Sequence, residues 1–130
     1  MKRVLSVWIL CLCVLLALTA CGASVPEGMS EDQVREAAEA TVQQLEDDDY
    51  AALMDSMTQE MQQGVTREEW EATWAPVHSQ LGAMEKIGSH NLVAKDGMAV
   101  DVVKVTYENG SLTFTLSYDT DYQLAGLYMK

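Results

Sequence analysis

The sequence predicts an α+β fold: N-terminal helices packed on a four-stranded antiparallel meander, preceded by a signal peptide. Three observations carry that expectation. Apolar residues recur at helical spacing from Val34 to Leu81, the period changes to two after Gly82, and residues 1–20 differ in composition from the rest. A chain of 130 residues has room for one domain of this kind.

The N-terminus comes first. Lys2 and Arg3 precede an apolar run from Val4 to Ala20 that only Ser6 and Thr19 interrupt. A basic start, an apolar middle and small residues before a break make a secretory signal peptide. An uncleaved membrane anchor needs about 20 apolar residues, and this shorter run meets no basic flank until Arg35. Cys11 and Cys13 lie inside it as small hydrophobes and leave with the peptide. Cys21 then stands alone, which excludes an internal disulfide, and a lone thiol falls short of the four ligands of a zinc site. Leu18-Thr19-Ala20-Cys21 resembles the bacterial lipobox. That resemblance implies a diacylglycerol on the Cys21 sulfur and cleavage that leaves Cys21 first. The expected organisation is a lipoprotein signal peptide at 1–20, the lipidated Cys and a short linker at 21–29, and one domain at 30–130. The expected location is extracytoplasmic, on the outer face of the bacterial cytoplasmic membrane, where each buried acyl methylene contributes about 0.8 kcal/mol.

Charge narrows the partners. The formal net charge is −12, and it becomes two units more negative once Lys2 and Arg3 are removed. Such a domain does not track a phosphate backbone, so nucleic acid is excluded as a partner. Anionic headgroups repel it as well. The eight linker residues from Gly22 to Met29 reach at most roughly 28 Å, which sets an acidic domain close above the bilayer.

The helices follow. Ser30-Glu31-Asp32-Gln33 has the form of a capping box, and Val34, Ala37, Ala38, Thr41, Val42 and Leu45 make a helical stripe behind it. Glu46-Asp47-Asp48-Asp49 suits the start of a helix, so these acids end the first and prepare a second, with Tyr50, Leu53, Met54, Met57 and Met61 on its face. Gly64 breaks that pattern. Thr66-Arg67-Glu68-Glu69 is a second capping box, followed by Trp70, Trp74, Val77 and Leu81 as a third stripe that Gly82 ends. Pro76 removes a backbone donor within it, and a kink or irregular end is expected there.

After Gly82, Asp96-Gly97 and Asn109-Gly110 are two-residue hairpin signals. The Asn109-Gly110 turn would pair Tyr107 with Leu112, Val105 with Phe114 and Val103 with Leu116, setting all six on one apolar face. The Asp96-Gly97 turn would pair Leu92 with Asp101 and His90 with Val103. A last strand, Leu124 to Met129, follows the turn Asp119-Thr120-Asp121-Tyr122.

Trp70…Leu81-Gly82, Tyr107-Glu108-Asn109-Gly110-Ser111-Leu112 and Leu124-Ala125-Gly126-Leu127-Tyr128 together resemble the domain of unknown function 3887 family. Its domains occur in secreted and lipid-anchored proteins of Gram-positive bacteria. The resemblance spans about residues 30–130 and implies an NTF2-like (cystatin-like) cone. It rests on turns and core aromatics, and brings no catalytic residues with it.

In such a cone the inner sheet face curls around a pocket, and a few polar groups in an apolar concavity form a ligand site. The candidate lining is His90, Asp101, Val103, Val105, Tyr107, Phe114, Leu116 and Tyr118, with Trp70 and Trp74 from the helix above. His90 would serve as base or donor, with Asp101 orienting it or acting as a base. Solvated strand ends, or a bulge that swings Asp101 outward, are the plainer alternative. Trp70, Trp74 and His78 form one stripe, read as a packed face before a sugar platform. Met54, Met57 and Met61 read as core filling before a copper site. Asp119-Thr120-Asp121 begins like a calcium loop, but Leu124 replaces the required Gly and Lys130 the Glu. No metal and no cofactor is expected. There is no G-x-S-x-G and no phosphate-cradling glycine loop.

The expected function is a non-catalytic, membrane-anchored lipoprotein module that binds a small molecule or an envelope protein. The alternative is a small NTF2-like enzyme, an isomerase or hydrolase, using His90 and Asp101.

Overall fold

The computed structural model describes residues 24–130; the expected signal peptide at 1–20 and Cys21 lie outside the described residues. Four helices precede four strands: α1 (Glu31–Glu46), α2 (Tyr50–Asp55), α3 (Gln59–Gly64), α4 (Arg67–Leu81), β1 (Met84–Lys95), β2 (Met98–Tyr107), β3 (Gly110–Tyr118) and β4 (Leu124–Met129). The strands form one antiparallel meander in the order β1-β2-β3-β4, and the helices cover one face. This is the expected α+β architecture. Among the described residues no helix is long and apolar enough to cross a membrane.

Ser30 caps α1 by accepting from the Gln33 N–H, and its own N–H donates to the Tyr122 hydroxyl at 2.7 Å. The apolar stripe of α1 then buries Val34, Ala38, Val42 and Leu45 completely. The acidic run divides as expected: α1 ends at Glu46, and Asp49 caps α2 through the Ala52 N–H.

The second predicted helix is two. Its stripe breaks at Met57 and Thr58 because the backbone there pairs with the start of β4. Leu124 donates to the Ser56 carbonyl at 2.8 Å and accepts from the Thr58 N–H at 2.9 Å. Thr58 then caps α3. Sheet pairing outweighs helical propensity over two residues, and Met57 gains full burial by it.

α4 carries a complete capping box, with the Glu69 N–H on Thr66 Oγ1 at 3.1 Å and the Thr66 N–H on Glu69 Oε2 at 3.3 Å. The helix runs through Pro76 to Leu81 without a break. Pro76 and Ala72 are both exposed, so the carbonyl that loses its donor faces water.

The Asp96-Gly97 hairpin forms as predicted: both residues take positive φ (52° and 77°), and His90 pairs with Val103 and Leu92 with Asp101. The second hairpin is corrected by two residues. Tyr107 pairs with Gly110, Val105 with Leu112 and Val103 with Phe114, so Glu108-Asn109 is the turn. The cause is tertiary. The Glu108 N–H donates to the Ala83 carbonyl at 3.0 Å and the Asn109 N–H to the Leu81 carbonyl at 2.8 Å, which bolts the turn to the α4–β1 connection. A shift of two keeps every side chain on its predicted face.

The N-terminal boundary moves too. Val25 and Met29 pack against the core, so the domain begins ahead of Ser30 and part of the expected linker belongs to it.

Candidate functional site

The register of β1 and β2 brings His90 and Asp101 to the same end of the concave face. His90 Nδ1 lies 2.5 Å from Asp101 Oδ2, and His90 Nε2 lies 3.1 Å from Glu39 Oε1 on α1. Asp101 has no exposure and the His90 side chain about a tenth. Burial raises the Asp101 carboxyl above its ordinary 3.8, against the opposing pull of His90 and, at longer range, Arg35. The Asn91 backbone N–H also favours the carboxylate electrostatically, yet Oδ1 has no hydrogen bond of full geometry and remains buried without a partner. Glu39 and Asp101 occupy different ring nitrogens of His90, so the three do not converge on one ion. Among the described residues no group of three His, Cys, Asp or Glu is arranged to hold a metal.

The remaining candidate lining is core. Val103, Val105, Phe114, Leu116 and Trp74 have no exposure, Tyr107 and Tyr118 at most 2%, and Trp70 7%. The α1 stripe and Trp74 fill the concavity against the sheet. Trp74 donates its indole N–H to the Leu45 carbonyl at 2.8 Å and tilts against Tyr107 and Phe114 at centroid distances of 6.4 and 6.3 Å. The Tyr118 hydroxyl meets Thr41 Oγ1 at 2.7 Å, which satisfies both inside the core. The Tyr107 hydroxyl finds no partner, and burial beside Glu46 raises its pKa strongly. These side chains that were expected to surround a ligand surround one another.

A second histidine cluster lies at the other end. His78 stacks on Trp74 at 5.2 Å, with Nε2 3.0 Å from Glu46 Oε2 and Nδ1 3.5 Å from Asp48 Oδ1. The Glu46 contact is one of proximity rather than an aligned hydrogen bond, since Oε2 has no hydrogen-bond partner of good geometry. Glu46 Oε1 accepts from the Met84 N–H at 3.0 Å, so this carboxylate also ties α1 to β1. Asp48, Tyr50, Glu71, Ala75, His78, Ser79 and Gly82 line a shallow cleft of about 380 Å³ here. Burial raises the Tyr50 phenol first, with Asp48 and Glu71 adding to it.

The Asp119 turn has a structural explanation. Asp119 Oδ1 accepts the N–H groups of Asp121 and Gln123, both at 2.9 Å, so its carboxylate closes the loop itself. Met54 and Met61 pack against the core, and Met57 is within it.

Residues 38–127 match the family described as a protein of unknown function (DUF3887). The chain belongs to this family. The chain is similar to the NMR structure of a protein from Ruminococcus gnavus ATCC 29149, which superposes with a TM-score of 0.64 at 26% identity. The alignment covers 81% of this chain and 95% of that one. None of the curated proteins compared matches the chain. The matched DUF3887 region holds His90, Asp101, Glu39 and the His78 cluster.

Sequence reasoning brought His90 and Asp101 together through the hairpin register. It missed Glu39, Glu46, Asp48 and Glu71, because helix-to-sheet and helix-to-helix contacts have no local sequence signature. One partial signal was present: Glu39 follows the stripe residue Ala38 directly, at the border from which a polar side chain reaches the edge of a sheet.

Proposed function

We propose that this DUF3887 domain is a non-catalytic, membrane-anchored binding module, held outside the cell by diacylglycerol on Cys21 and engaging its partner through its surface. One observation carries the non-catalytic part: Trp74, Tyr107, Phe114, Leu116 and Tyr118 fill the inside of the cone with fully or almost fully buried side chains. A filled cone gives recognition to grooves and strand edges rather than to an interior chamber. The His90–Asp101 contact fits this reading as an internal polar pair with Glu39 on its open side. The enzyme reading draws on the same contact, and it requires substrate to reach a carboxylate with no exposure.

The anchoring part rests on the order of basic start, apolar run and Leu18-Thr19-Ala20-Cys21. Expressed in a Gram-positive host, the wild-type chain should fractionate with membranes and carry diacylglycerol mass on an N-terminal Cys21. Cys21→Ala should lose that mass and leave the lipidated fraction. Wild-type protein without lipid mass would refute the anchor.

A further inference from the structure

The two edges of the meander are built differently. β1 is twelve residues long, with irregularities between Met84 and Lys86 and between Ile87 and His90, and it carries Lys86 and Lys95. Bulges and lysines keep an edge strand from pairing with another chain. β4, Leu-Ala-Gly-Leu-Tyr-Met, has no proline and no bulge beyond its first residues, and a lysine, Lys130, enters this edge only past Met129. Its first residue is already paired on the outer side with Ser56 and Thr58. Farther along, the pattern is set by Lys130, which exchanges both hydrogen bonds with Thr113 at 3.0 Å. Alternation along an antiparallel ladder then turns Tyr128 toward β3 and aims the N–H and C=O of Leu127 and Met129 outward. Among the described residues no hydrogen bond reaches that outer side beyond Leu124.

Beside this edge runs a groove of about 310 Å³, walled by Val65, Glu69, Trp70, Thr73, Leu127 and Met129. Trp70 is more than nine-tenths buried, and its indole N–H has no acceptor. Trp70 thus brings an unpaired donor to the wall of the groove, close enough to report on an occupant. On the opposite face Tyr128 is 74% exposed, placed to cover the outer side of one more strand. Unpaired main-chain groups and an apolar groove for alternate side chains are what a strand-adding peptide uses.

Charge selects the occupant. Glu69 forms part of the wall, Glu68 is its neighbour and the chain carries −12, so a second copy would bring like charge against like. We propose that β4 accepts a strand from a neighbouring protein, an extended apolar segment flanked by Lys or Arg whose side chains seat between Trp70 and Met129. This rests on the binding-module reading above and names the class of partner.

The test pans a display library of linear eight-residue peptides on the full-length lipidated chain in nanodiscs. Two variants accompany it. Met129→Pro removes an outward N–H and leaves the bonds to β3 in place; Thr73→Trp fills the groove from an exposed helix position. Recovered peptides should alternate apolar residues beside Lys or Arg, shift the Trp70 indole N–H resonance and slow amide exchange at Leu127 and Met129. Affinity should fall on the order of tenfold or more in both variants. If Met129→Pro folds poorly, Thr73→Trp alone decides. Peptides that bind both variants as tightly as wild type would place the site elsewhere; that outcome overturns the β4 proposal and leaves the binding-module reading intact. Recovery of no peptide overturns it as well, while anchoring is judged separately through Cys21. Protection of Leu127 and Met129 by self-association, without peptide, assigns the edge to a second copy and overturns the partner.

Discussion

Asp101 is a carboxylate without exposure at the end of an apolar row, and desolvation raises its pKa above 3.8. Between 3.8 and that raised value the native chain holds a proton that the unfolded chain has lost. The contribution of this group is therefore fully present below 3.8 and is lost as pH rises through the native pKa. Asp101→Asn should remove that downward slope. Urea midpoints measured at several pH values, on the acid side of histidine titration, should show the variant gaining on wild type as pH rises. A constant difference would mean that the native Asp101 titrates as in the unfolded chain. The pairing of His90 with Asp101 was legible in the sequence because Asp96-Gly97 fixes the register two residues at a time. The burial of the pair was not, since it depends on where α1 lies.

Among the elements, the β1–β2 pair contains its own point of closest approach. A methyl group on Gly88 would lie 2.7 Å from the Lys104 carbonyl oxygen, in the stretch where the register slips between Ile87 and His90. Backbone does not yield as a side-chain tip does, so Gly88→Ala should push the strands apart. A loss of about 1–3 kcal/mol is expected for such overpacking, read from the denaturant midpoint, with faster amide exchange around Lys104. The other hairpin shows where local signals stop. Asn109-Gly110 is a strong turn pair in isolation, but Leu81 and Ala83 hold the chain one step earlier and neither residue takes positive φ. The same limit applies to the split between α2 and α3, where a strand seventy residues away interrupts a helical stripe. Periodicity predicted the faces of these elements correctly because a face survives a shift of two. Turn position and helix ends depend on distant hydrogen bonds.

For the whole molecule, the balance of 8 basic against 20 acidic residues means that folding gathers like charge. Added salt should therefore raise the melting temperature of the purified chain. The gain should level off once the screening length falls below about 10 Å, near 0.1 M. A melting temperature that falls with salt would show that local attractions such as the Arg35 pairs with Glu31 and Asp32 outweigh the net repulsion. Fold class and strand count were readable because the change of period at Gly82 reports on architecture directly. The close packing of α1 and Trp74 on the sheet was not readable. Volume complementarity between α1 and the sheet is a property of both surfaces together.

The hydrogen bond from the Ser30 N–H to the Tyr122 hydroxyl gives the domain an up and a down. It fastens the entry of the chain to the β3–β4 loop, at the end of the meander that also carries the Asp96-Gly97 turn. With Val25 and Met29 seated on the core, three residues separate that end from Cys21, a leash of roughly 10 Å. Were Cys21 to carry the proposed anchor, the acidic loops at Asp96, Asp119 and Asp121 would face the headgroups and be pushed from them, and the domain would stand off the surface. β4 climbs away from this base. Leu127 and Met129 ride at the far end, the part of the edge that the proposed anchor would hold farthest from the bilayer.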